Sequence, residues 1–104
     1  MNRQKIIYAL SGGAIILVFV LGLVQTALNG EGIYVREGCG ECHSFKGHGG
    51  AMAPDLTSVT QRRSKTWIMT QIKNPKAHNP DSRMPGFAHL SIFERYAISQ
   101  YLKD

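Results

Sequence analysis

The sequence predicts an all-α protein: one N-terminal transmembrane helix, then a small helical domain. Three observations carry that reading. No charged residue falls between positions 6 and 30, helix caps and breakers punctuate the rest of the chain, and no stretch shows the period-two alternation of a strand. Residues 1–29 are the expected anchor and residues 30–104 the expected domain.

The anchor comes first. Residues 6–28 are dominated by Ile, Leu, Val, Ala and Phe. As a helix they would run about 35 Å, enough for a bilayer core of about 30 Å with some tilt. Arg3 and Lys5 precede the run and Glu31 is the first charge after it. The positive-inside rule then places Met1 in the cytoplasm and the domain on the outer, periplasmic face of a cytoplasmic (inner) membrane. A cleaved signal peptide is the rival reading. The run exceeds a signal core of about 7–15 residues, and the best small-x-small site, ending at Ala27, has bulky Gln25 two positions earlier. A retained single-pass anchor is the expectation.

The domain is thin in apolar residues. The chain has 104 residues and a net charge of +5, but 18 of its apolar residues lie in residues 1–30 and only 27 in residues 31–104. A unit that small rarely holds together on apolar burial alone and needs a metal, a cofactor, disulfides or a partner. Two cysteines permit at most one disulfide, which excludes a disulfide-dense scaffold.

Its elements follow in order. Residues 31–37 read as a short helix ended by Gly38, burying Ile33 and Tyr34. Gly47, Gly49 and Gly50 predict a flexible loop, closed by Pro54. Ser64 is the N-cap expected for a helix over 65–73, with Trp67, Ile68 and Ile72 at helical spacing; Asn74 before Pro75 stops it, because a residue preceding proline avoids helical geometry. Residues 74–90 hold three of the four prolines and predict an ordered loop. Ser91 and Glu94 form a capping-box pattern that opens a last helix to about Lys103. Phe93, Ala97, Ile98, Tyr101 and Leu102 would form its apolar face.

The chemistry lies in Cys39-Gly40-Glu41-Cys42-His43, the C-x-x-C-H signature of c-type haem attachment. Two thiols three positions apart on a helical turn reach the two vinyl groups of one porphyrin edge, and the adjacent imidazole projects toward the iron. A redox dithiol would expect a βαβ setting. A zinc site would need four spaced ligands, whereas Cys39, Cys42, His43 and His48 are crowded together. Met84, in Arg83-Met84-Pro85, is the expected opposite ligand, ahead of Met52, Met69, His48, His78 and His89. Thioether sulfur is soft and neutral, and Met/His ligation raises the reduction potential.

Over nearly all of residues 31–104 the chain resembles a class I c-type cytochrome. The resemblance rests on the C-x-x-C-H run, Ala53-Pro54-Asp55-Leu56, the Arg62-Arg63 pair, Trp67-Ile68, Asn74-Pro75, the segment Pro80-Asp81-Ser82-Arg83-Met84-Pro85 and the terminal Tyr101-Leu102. The later segments are most similar to the cytochrome c domain fused to subunit II of some haem-copper oxidases and to the small anchored subunit of bacterial nitric oxide reductases. The resemblance implies one covalently attached haem c, held by Cys39 and Cys42 with His43 and Met84 as iron ligands. It implies that the Pro54 carbonyl accepts from Nδ1 of His43, that Trp67 donates to a haem propionate, and that Arg62 or Arg63 compensates propionate charge. It also pairs the first and last helices at close range, with Gly30 or Gly32 at the crossing.

The expected function is a membrane-anchored monohaem electron carrier, or an electron-entry subunit of a respiratory complex, rather than an enzyme in its own right. Its expected partners are the membrane and redox proteins, such as a quinol-oxidising complex or a terminal oxidase or reductase, and no nucleic acid. Residues 31–104 carry a net +3, which suits a mildly acidic docking partner. A peroxidase or nitric-oxide site would need an acid–base pair beside Met84, and none is placed there. A haem-based sensor would need a cytoplasmic output domain, and only five residues precede the apolar run.

Overall fold

The computed structural model describes residues 13–21 and 28–103. Residues 13–21 are helical, and the large apolar side chains at 15–21 are all exposed. Among the described residues no helix is long and apolar enough to cross a membrane. The remainder of the predicted 6–28 span, apart from Leu28, lies outside them.

The domain opens with helix α1, Gly30–Arg36. Asn29 caps it by accepting from Gly32 N, satisfying one of the unpaired amides that every helix start leaves. Gly38 ends the turn that follows, at φ 73°, a left-handed geometry that glycine adopts without steric cost. Helix α2, Cys39–Cys42, is a single turn. Next come strands β1, Ser44–Phe45, and β2, His48–Gly49, paired antiparallel with Phe45 opposite His48.

This ribbon corrects the expectation of a wholly helical domain with a flexible glycine loop. Lys46 and Gly47, the two turn residues, both have positive φ, as a tight primed hairpin turn requires. Gly49 and Gly50 pack so closely on the backbone of the α2 turn that an added Cβ would overlap the carbonyls of His43 and Glu41 respectively. The glycines are there for close approach, and the loop is a clasp.

Helix α3, Val59–Arg62, is a single turn that carried no periodic signal in the sequence. Helix α4, Lys65–Lys73, starts at the expected Ser64 cap, whose hydroxyl accepts from Trp67 N. A short 3-10 turn, Pro75–Ala77, leads into the ordered loop. Helix α5, Ile92–Tyr101, opens with the complete Ser91–Glu94 capping box and ends two residues before Lys103.

The core gathers Ile33 and Tyr34 from α1, Phe45 from β1, Val59 from α3, Ile68 and Ile72 from α4, Leu90 from the loop, and Ile98 with Leu102 from the C-terminal helix and its cap. Tyr34, Phe45 and Tyr101 form a tilted aromatic cluster, with ring centroids 5.3 to 6.5 Å apart. The α1–α5 crossing uses Gly30: a Cβ there would overlap the Ala97 carbonyl, whereas one at Gly32 would meet only the Asn29 side chain. On α5 the expected apolar face is narrower than predicted. Phe93 is 67% exposed, and buried Ser99 donates its hydroxyl to the Tyr96 carbonyl at 2.6 Å. The helix packs against both α1 and α4, so the residues between its two contact lines are buried whatever their polarity.

Candidate functional site

The site is built on the α2 turn. Cys39 and Cys42, one turn apart, lie on one side of it, both thiols unpaired, Cys39 half-buried and Cys42 exposed. Burial, and secondarily the Glu37 carboxylate, pushes the Cys39 thiol up. His43 leaves the turn in extended geometry, its amide donating to the Cys39 carbonyl at 3.1 Å. Two further bonds pin the turn from outside: Gly50 N to Gly40 O at 2.9 Å and Ala53 N to Cys42 O at 3.0 Å.

The imidazole is oriented by Pro54. Nδ1 of His43 lies 2.8 Å from the Pro54 carbonyl, which can only accept, so Nδ1 carries the proton and Nε2 keeps its lone pair for a metal. Such a bond fixes ring orientation and raises ligand basicity. The chain beyond Pro54 is held in turn by Asp55, whose carboxylate accepts from Thr57 N at 2.9 Å and Thr57 Oγ1 at 2.7 Å. Those two bonds hold the Asp55 carboxyl below its ordinary range.

The two arginines diverge. Arg62 donates to the carbonyls of Thr57 and Asp55, at 3.0 and 3.3 Å, and so braces the segment that carries Pro54. Arg63 sets its guanidinium over the Trp67 ring at 4.4 Å. Trp67, half-buried, also stacks flat against His78, centroids 4.3 Å apart and planes within 4°.

Met84 is half-buried in the loop, its amide donating to Ser82 Oγ at 3.3 Å. The loop is fastened to α4 by Phe87 N to Ile72 O at 2.8 Å, and Gly86 passes close to the Lys73 carbonyl. Of the rival ligands, Met52 is 89% exposed, His89 bonds Glu37 at 3.0 Å, and His78 is engaged with Trp67 and Gln71. Gln71 is the residue that the sequence reading passed over. Its Nε2 donates to the Met84 sulfur at 3.5 Å, and the signal for it was a polar residue four positions after Trp67, on the same face of α4.

These residues fit a covalently held haem. Two unpaired thiols on one turn, an imidazole whose Nε2 is kept available by the Pro54 bond, and a thioether on a separate loop are the donor types that a covalently attached haem c would take. A small, mostly helical domain carrying that set defines a c-type cytochrome. The Cytochrome c family model matches residues 27–104, and the chain belongs to that family. It is therefore a haem-based electron-transfer protein that binds haem c covalently, with Cys39 and Cys42 in the C-x-x-C-H motif. No curated protein matches the chain.

Proposed function

We propose that this cytochrome is a membrane-anchored monohaem electron carrier, or the electron-entry subunit of a respiratory complex, with its haem domain on the outer face of the cytoplasmic membrane. The observation that carries the site assignment is the 2.8 Å bond from His43 to Pro54 beside two unpaired thiols. Cys39 and Cys42 would hold the cofactor, His43 and Met84 would supply its iron ligands, Trp67 would donate to a propionate, and Arg62 or Arg63 would offset propionate charge. Bound haem supplies a one-electron ferric–ferrous couple. With His43 and Met84 both supplied by the chain, the group would exchange electrons without making or breaking bonds to a substrate.

The anchor rests on the uncharged run and on the exposed apolar side chains at 15–21, which have no reason to face water in a basic, glycine-rich protein. The domain cap at Asn29 directly follows the predicted span, which favours a fixed subunit over a long-reach shuttle.

The test is spectroscopic and biochemical. Holoprotein from cells competent in cytochrome maturation is expected to be low-spin in both oxidation states and not to bind carbon monoxide; carbon monoxide binding would overturn the electron-carrier reading. Met84→Ala is expected to lose the methionine-to-iron charge-transfer band and to lower the potential, and an unchanged spectrum would reassign the ligand. Untagged protein should remain with membranes after alkaline extraction and co-purify with redox partners in mild detergent.

A further inference from the structure

The uncharged apolar run of residues 6–28 ends at the rim of a groove. Leu28, its last residue, lines a space of about 570 Å³ between the start of α1 and the outer side of α5, together with Phe93, Tyr96 and Gln100. Phe93, Tyr96 and Leu28 are all exposed, and neither ring belongs to the apolar core. Gln100 also lines a second cleft, of about 200 Å³, whose rim carries Lys65 and Lys103. Lys65 joins the two: its ammonium lies 4.5 Å from the centroid of the Tyr96 ring and 3.5 Å from the Tyr96 hydroxyl. Arg63 borders the second cleft but is turned to Trp67, and the acid on the groove is Glu31, in the first turn of α1.

Exposed aromatic rings grouped with lysines suit a membrane–water boundary. The rings sit at headgroup level, and a lysine lays its stem along apolar surface while its ammonium reaches phosphate. We propose that the α1–α5 groove is seated on the outer surface of the bilayer, with Phe93 and Tyr96 among the headgroups and Lys65 and Lys103 against lipid phosphates. The haem domain is thereby held in one orientation above the membrane. Continuity of the chain selects lipid as the occupant: the segment that leaves the groove at Leu28 is the apolar run itself, and Asn29 caps α1 with no linker between. The proposal rests on the reading of that run as a membrane anchor.

The experiment uses full-length holoprotein in vesicles of phosphatidylcholine with added phosphatidylglycerol. Alkaline extraction comes first, and release of the protein would overturn the anchor reading and the proposal with it. With the haem thiols consumed, Gln100→Cys provides one free thiol in the groove and Lys76→Cys one outside both clefts. The Gln100→Cys thiol is expected to react with an uncharged water-soluble maleimide more slowly in vesicles than in nonionic detergent, and the Lys76→Cys thiol equally in both. Phe93→Ser with Tyr96→Ser should abolish that difference while the protein stays in the vesicles. Lys65→Gln and Lys103→Gln should each weaken the protection by up to about fivefold, the effect of one lysine at an anionic surface, and should do nothing in phosphatidylcholine alone. Equal rates for Gln100→Cys in vesicles and detergent, with the protein retained, would overturn the docking and leave the anchor standing. Disulfide-linked Gln100→Cys dimers that persist on dilution with lipid would give the groove to a second copy and overturn the proposal.

Discussion

Gly30 rests directly on the carbonyl of Ala97, so α1 and α5 cross with no side chain between their backbones at that point. The contact brings Tyr34 and Tyr101 to a centroid distance of 5.3 Å and closes the domain across its two ends in sequence.

Gly30→Ala should therefore force the helices apart. A loss of about 1–3 kcal/mol is expected, the cost of inserting a methyl group into a packed contact. Gly32→Ala is the matched control. Its Cβ would meet only the Asn29 side chain, at 3.6 Å, and relief of glycine's backbone entropy should leave stability equal or slightly higher. Denaturant unfolding of the two variants checks the difference.

Gly49 has φ 117° and faces the His43 carbonyl. Gly49→Ala adds both strain and overlap, so the expected destabilisation exceeds about 1 kcal/mol. Because His43 sits on the other side of the contact, the variant should also show an increased high-spin fraction in the ferric spectrum. Gly47→Ala, with open space around it, should show the strain without the spectral change.

Tyr34 has a buried hydroxyl without a hydrogen-bond partner among the described residues. Burial, and then the neighbouring Cys39, push its phenol up to about 12. The sign follows: a group whose folded-state value is raised contributes stability that is complete below its unfolded value of 10.0 and is lost as pH rises through the folded value. A tyrosinate absorbance titration should find a late-titrating phenol that is missing in Tyr34→Phe. That variant should be as stable as the parent at neutral pH or more so, since it removes a buried donor that bonds nothing.

Glu94 ties the ends of the two packed helices together. It accepts from Ser91 N at 3.0 Å and from Arg36 at 2.9 Å, and those bonds, the Ser91 bond first, hold its carboxyl below the ordinary range. A depressed folded-state value contributes stability present at neutral pH and lost on acidification below the ordinary glutamate range. Glu94→Gln should be less stable than the parent at about pH 7 and should lose less between about pH 5 and pH 3 in thermal melts. Ser91→Ala, which removes the reciprocal cap, should cost about 1 kcal/mol.

Much of this domain was legible in the residues alone. Ser64 and Ser91 cap α4 and α5 as the sequence predicts, because a hydroxyl before a periodic apolar run has a local job that distant residues do not alter. Cys39, Cys42 and His43 declared their chemistry through spacing within one turn, and the belonging of the chain to the cytochrome c family agrees with them.

Tertiary structure decided what depends on residues far apart in the chain. It chose Gly30 over Gly32 at the crossing, turned Arg62 to the Pro54 segment and Arg63 to Trp67, made a hairpin clasp of a glycine run, and set Gln71 against the Met84 sulfur. The reason is physical. Caps and ligand spacing are fixed by bonds within a turn or two, while close approach and side-chain direction are fixed by whatever the fold brings opposite.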